Sequence, residues 1–177
     1  MPVPAINLTE EALRKSLVMY VNVSEQPGTW SPSAAVWEPQ GYKTEDTALE
    51  FNPDVETVTD VLGDTYTTVN KLERQMSFEP NTLRPIANRG KLNEILHEYT
   101  RRNQLSKLQE FKVLIAYGYL GTTGAYEADV YPMSTVTPQS LGGSSRVNFP
   151  YQINLGGEAM FGTVDKLLPE PTFAQEA

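Results

Sequence analysis

The chain has no cysteine and a single histidine, so any nucleophilic or metal chemistry falls to His97, the carboxylates and the hydroxyls. Disulfides, thiolate catalysis and cysteine-ligated zinc are excluded together. His97 lies beside Leu96 in a stretch of helical periodicity, with Glu98 next to it. No second imidazole exists to complete a histidine metal site, and no nucleophile, base and orienting group assemble around it. It reads as a structural or surface residue. Carboxylates are dense between Glu38 and Pro80, but Asp60-Val61-Leu62-Gly63-Asp64 lacks the ligand positions of an EF-hand loop. Gly142-Gly143-Ser144-Ser145 has no P-loop lysine and precedes a strand rather than a helix. Trp30, Trp37 and the nine tyrosines could stack bases or sugars, yet core and interface packing accounts for them more simply. No catalytic, cofactor-binding or metal-binding residue is assigned and no cofactor is implied. The expected function is that of a surface, not of an enzyme.

That surface is the run from Glu38 to Pro80. Ten acids (Glu38, Glu45, Asp46, Glu50, Asp54, Glu56, Asp60, Asp64, Glu73, Glu79) face three bases (Lys43, Lys71, Arg74), a net −7 against −8 for the whole chain. Recurring β-branched residues and the Gly63-Asp64 turn predict strands despite the charge: 43–51, a break at Asn52-Pro53, 55–61, then 66–79. The last alternates, with Leu72, Met76 and Phe78 predicted to pack and Lys71, Glu73, Gln75, Ser77 and Glu79 to face water.

The elements that must carry this run are a mostly β domain. At 177 residues one domain with arms is expected: an N-terminal arm with a short helix (1–16), a β-domain (17–167) and a C-terminal tail (168–177). Residues 17–23 alternate as a strand, and 33–37 read as a short one. Residues 111–120 are apolar on both faces, as a central strand would be. Strands over 126–136, 146–155 and 159–167 follow, separated by turns. One helix, about 89–103, is predicted from Leu92, Ile95, Leu96 and Tyr99 on one face, with Asn88 as its cap and Arg101 and Arg102 in its last turn. Residues 84–112 reverse the balance, seven bases against three acids, an asymmetry that would suit contact between copies or an ordinary solvated face. The architecture expected is a β-sandwich or barrel with one flanking helix. A pI of about 4.7 argues against tight nucleic-acid binding. No apolar run reaches the ~18–20 residues of a membrane span, and Met1-Pro2-Val3-Pro4 lacks the features of a secretion signal.

The stretch from Asp54 to Pro80 resembles the hairpin region of major tail (tail tube) proteins of long-tailed phages of Gram-positive bacteria. It has an acidic Thr/Val strand, the turn Asp60-Val61-Leu62-Gly63, the stretch from Thr67 through Val69 to Glu73, and Ser77-Phe78-Glu79-Pro80 ahead of a helix. The resemblance covers about a third of the chain. It implies a β-barrel or sandwich subunit with a long acidic β-hairpin, closing into hexameric rings that stack as a hollow tube. It also implies assembly in the host bacterial cytoplasm and a place in the virion tail. The partners implied are other copies, a tape measure protein, a tail terminator and tail tip proteins, with double-stranded DNA passing through without specific binding. Glu73, Gln75, Ser77 and Glu79 would then line the lumen, an acidic wall that repels phosphates. Residues 52–64, with Asp54, Glu56, Asp60 and Asp64, would form the ring-to-ring loop. Two other readings fit: the tube of a contractile injection system or phage-tail-like bacteriocin, and a capsid-decorating or carbohydrate-binding β-sandwich.

Overall fold

The computed structural model describes residues 14–24, 30–41, 44, 47–84 and 90–177. The predicted short N-terminal helix and most of its arm lie outside these residues, apart from a 3-10 turn over Arg14–Ser16. Among the described residues, ten strands and one α-helix follow: β1 (Leu17–Asn22), β2 (Trp37–Pro39), β3 (Pro53–Thr59), β4 (Thr65–Leu72), β5 (Gln75–Phe78), α1 (Lys91–Arg101), β6 (Phe111–Thr122), β7 (Ala125–Pro138), β8 (Tyr151–Asn154), β9 (Met160–Val164) and β10 (Phe173–Gln175). The fold is mainly β, as expected.

All the strand pairs are antiparallel, and the main sheet runs β10-β9-β7-β6-β1-β2. The long β7 serves two partners on its second edge. Its first half pairs with β9, from Tyr126 opposite Val164 to Val130 opposite Met160. Its second half pairs with β8, from Thr135 opposite Asn154 to Pro138 opposite Tyr151, and β5 completes that side by pairing with β8. The exchange falls at Gly156-Gly157. A Cβ on Gly156 would lie 2.5 Å from the Met133 carbonyl oxygen, and Gly157 has φ +85°, a region only glycine enters freely.

The central strands feed two cores. On one face Met19, Val21, Val113 and Ile115 pack with Met76, Phe78, Phe149, Tyr151 and Ile153, and with Leu92 and Leu96 of α1. On the other, Tyr20, Leu114 and Ala116 pack with Trp37, Ala128, Val130, Val164 and Phe173. Val113, Leu114, Ile115 and Ala116 of β6 are buried on both faces of the sheet, which is why this stretch shows no polar alternation. β10 lies against the Pro32–Ala34 turn that precedes β2, so the two edges of the sheet approach each other and it curls into a half-barrel.

Several sequence expectations are corrected by the structure: the short strand read over 33–37 is a 3-10 turn, Pro32–Ala34, ahead of β2, and the strand read over 146–155 is confined to Tyr151–Asn154. The tail over 168–177 contains a strand: Phe173 is 1 % exposed, β10 pairs with β9, and the Thr172 amide donates to Asp165 Oδ1 at 2.7 Å. One large aromatic ring entering the second core outweighs the prolines and polar residues around it. The segment read as one strand over 66–79 is two. β4 ends at Leu72 and β5 starts at Gln75, and Leu72, expected to pack, is 42 % exposed. Only Met76 and Phe78 have a core beneath them, so the chain leaves the body one step earlier. The helix is capped at Gly90, without a side-chain bond of its own. Asn88 lies outside the described residues. Glu38, on β2, supplies the cap instead: its Oε2 accepts from the Lys91 amide at 2.7 Å and its Oε1 from Leu92 at 3.2 Å. This carboxylate meets the positive end of the helix dipole from 53 residues away.

Candidate functional site

β3 and β4 form a separate two-stranded sheet in which every residue of both strands is exposed. Seven residues of β3 at roughly 3.3 Å each give an arm about 23 Å long. Cross-strand pairs hold it: Val55 with Val69, Thr57 with Thr67, Val58 with Tyr66 and Thr59 with Thr65, beyond an irregularity between Asp54 and Val55. The Thr57 and Thr67 hydroxyls, and those of Thr59 and Thr65, lie 3.3 Å apart. The tip is built on Asp60. Its Oδ1 accepts from the Leu62 and Asp64 amides at 2.8 and 3.0 Å, and its Oδ2 from the Tyr66 hydroxyl at 3.1 Å. These bonds, led by that from Asp64, hold the Asp60 carboxyl below its usual range. Gly63 turns the chain at φ +89°, and Val61 and Leu62 project at the tip, fully exposed and 84 % exposed.

The expected loop over 52–64 is therefore a strand and a turn. Asp54 and Glu56 sit on β3, while Asp60 and Asp64 frame the tip. Asp60 is occupied in holding the turn. Among the described residues no group of three or more His, Asp or Glu could hold a metal ion.

The residues expected to share a lumen face divide in two. Gln75, Ser77 and Glu79 alternate with the buried Met76 and Phe78, on or just beyond β5. Glu73 sits in the break between β4 and β5, exposed, with its Oε1 2.5 Å from Lys71 Nζ. Cross-strand register sets Thr135, Asn154 and Gln75 in one row and Thr137, Gln152 and Ser77 in the next. Gln152 Nε2 donates to Gln75 Oε1 at 2.8 Å, and Gln75 Nε2 donates to Glu50 Oε2 at 2.8 Å. This face is a ladder of amides and hydroxyls with acids at its margin, and these described residues include no lysine or arginine. Gln152 and Asn154 were legible as outward residues of an alternating strand, but their alignment with Gln75 and Ser77 joins positions more than seventy residues apart.

The root of the hairpin is fixed by Arg74, whose guanidinium lies 5.7 Å from the centroid of the Phe51 ring, and by Asn52 Nδ2 donating to the Glu73 carbonyl at 3.1 Å. Nearby on β7, the Asp129 carboxyl accepts from the Tyr117 hydroxyl at 3.1 Å. Burial raises its pKa, a shift that this bond and Arg74 oppose. On the helix, Leu92 and Leu96 are buried, and Ile95 and Tyr99 pack against the same core. His97 meets the Phe149 ring edge-on at 5.8 Å. Trp37 is buried and so offers no open platform for a sugar ring, and Trp30 packs against it at 6.4 Å, nearly perpendicular.

No protein-family model matches the chain, and no curated protein does. Among solved structures, it is similar to the sheath/tube terminator of an extracellular contractile injection system (PVC, extended state), with TM-score 0.49, 9% identity, and coverage of 87% of this chain and 98% of that one. It is also similar to a chain of the PVC sheath-tube complex in the extended state, with TM-score 0.48, 9% identity and coverage of 89% and 95%. A third likeness is to the tube-terminating cap of the anti-feeding prophage, with TM-score 0.48, 12% identity and coverage of 92% and 99%. Likenesses this distant leave the functional reading to rest on the hairpin.

Proposed function

We propose that this chain is a structural subunit of a phage-tail-like tube, polymerising through its hairpin into stacked rings around a hollow channel. The observation that carries the reading is the β3–β4 arm, which buries none of its residues in its own subunit. A lone two-stranded hairpin is marginally stable in water, and its free edges are templates for strand pairing. Such an arm is suited to engaging another copy, where its edges and its apolar tip are covered. The half-barrel supports the same division of labour: it has two cores of its own and blunts its edges, leaving assembly to the arm.

The ladder of Gln75, Ser77, Gln152 and Asn154, with Glu79 at its margin, is the proposed channel wall. A wall without cations gives phosphates nothing to bind, so DNA would pass without adhering. Glu73, at the hairpin root, would lie at the rim of that wall. Six subunits per ring, a tape measure protein inside, a terminator and a tip complex at the ends, and a place in the virion tail complete the proposal. The tube of a contractile system or bacteriocin is the second reading, since the three neighbours named above come from such particles or from a prophage cap. Assembly with and without a sheath protein separates the two.

Negative-stain microscopy and sedimentation of the purified protein at high concentration test the proposal. Rings or hollow tubes are expected. A monomer at every concentration that also fails to polymerise on a tail-tip complex would overturn it.

A further inference from the structure

A large concave surface lies away from the hairpin, a groove of about 980 Å³ among the described residues, between α1, the Leu105–Gln109 turn and the start of β6. Its apolar lining includes Trp30, Ile95, Tyr99 and Phe111, and its bases are Lys91, Arg102, Lys107 and Lys112. Two of its three carboxylates are engaged at its edge, Glu94 with Lys91 at 3.9 Å and Glu98 with Arg102 at 3.6 Å; the third is Glu110. Lys107 instead lies 5.2 Å from the Tyr99 ring centroid, and Lys112 lies 5.7 Å from that of Trp30. Two ammonium groups thus rest on aromatic faces with no carboxylate in salt-bridge range among the described residues. Apolar and charged groups share the lining, four bases against three acids, in a groove at the upper end of the roughly 300–1,000 Å³ of ligand pockets.

The hairpin tip is the complement. Val61 and Leu62 project between Asp60 and Asp64, with Glu56 behind them, and no base lies between residues 56 and 64. We infer that the groove beside α1 receives the hairpin tip of a second copy, with Val61 and Leu62 against Ile95 and Tyr99 and with Asp64 and Glu56 facing Lys107 and Lys112. The contact joins two different patches of the same chain, so it is heterologous: each copy both gives a tip and receives one. Contacts of this kind propagate into rings or filaments. The inference rests on the tube reading for its partner, and it names the receiving surface, which that reading leaves open.

The absence of native cysteine makes the test clean. Protein carrying Leu62→Cys with Glu98→Cys is assembled and oxidised, beside a control carrying Leu62→Cys with Thr123→Cys, at the opposite end of β6. A ladder of disulfide-linked oligomers is expected for the first pair and none for the control. A Lys107→Glu, Lys112→Glu variant should need at least roughly tenfold more protein to polymerise. Adding Glu56→Lys and Asp64→Lys to it should restore much of the loss, and added salt should weaken wild-type assembly. Tubes that form without the Leu62–Glu98 ladder would overturn the groove as receptor and leave the tube reading standing. A wild-type chain that forms no polymer under any condition would overturn both.

Discussion

Replacing residues 53–72 by Asn-Gly should separate folding from assembly. Asn52 and Glu73 are already hydrogen-bonded, so a two-residue turn of a type suited to hairpins can close the gap. The deleted strands bury nothing in the body, so no cavity forms. Shortening a twenty-residue excursion to two residues reduces the chain entropy lost on folding by at most about 2 kcal/mol, set against the hairpin's own marginal contribution. Thermal unfolding should therefore stay cooperative, with an unchanged or slightly higher midpoint. Polymerisation should be strongly weakened. The arm presents Val55, Val58, Val61, Leu62 and Val69, and burying each contributes about 1 kcal/mol. If ordering the arm and its side chains consumes half of that, about 2–3 kcal/mol is lost, and the critical concentration should rise by roughly 100-fold. Sedimentation and microscopy read the second effect, and calorimetry the first. A deletion variant that polymerises like the full chain would refute the reasoning, as would one that loses its cooperative transition.

Three further outcomes follow from the geometry. Phe173→Ala should cost about 3 kcal/mol, a fall of roughly 6–12 °C in melting temperature, because the ring is buried in the second core; a change under a few degrees would show that β10 contributes little. Glu38→Ala should lower stability by about 1 kcal/mol and speed exchange of the Lys91 and Leu92 amides, with Glu38→Gln milder because it retains one acceptor; unchanged exchange would refute the cap. Asp129 titrates above its ordinary value because it is partly buried, so in that window the folded state holds more protons than the unfolded state. Stability then falls as pH rises from about 4 through the raised pKa. Asp129→Asn, which keeps an acceptor for Tyr117, should flatten that decline in melting-temperature profiles; an unaltered slope would assign it to another group.

Local pattern was enough where burial follows period. The alternation of Met76 and Phe78 with Gln75 and Ser77, the double-sided β6, and the Leu92–Leu96 face of the helix are properties of a few neighbouring side chains, and the mainly β class follows from their number. Pattern failed where the partner is remote. Leu72 looks like Met76 in sequence, yet only Met76 has a core beneath it. The helix takes its cap from Glu38, a residue that composition had counted with the acidic run. Phe173 turns a proline-marked tail into a strand because the sheet curls far enough to leave it a place. The acidity of the hairpin was legible from the charges, whereas the neutral ladder of Gln75, Ser77, Gln152 and Asn154 required β5 to find β8. Sequence alone determined which surfaces are polar and which apolar, since those are properties of single side chains. Only the tertiary structure decided which of them face one another, because register between distant strands is set by the packing of the whole sheet.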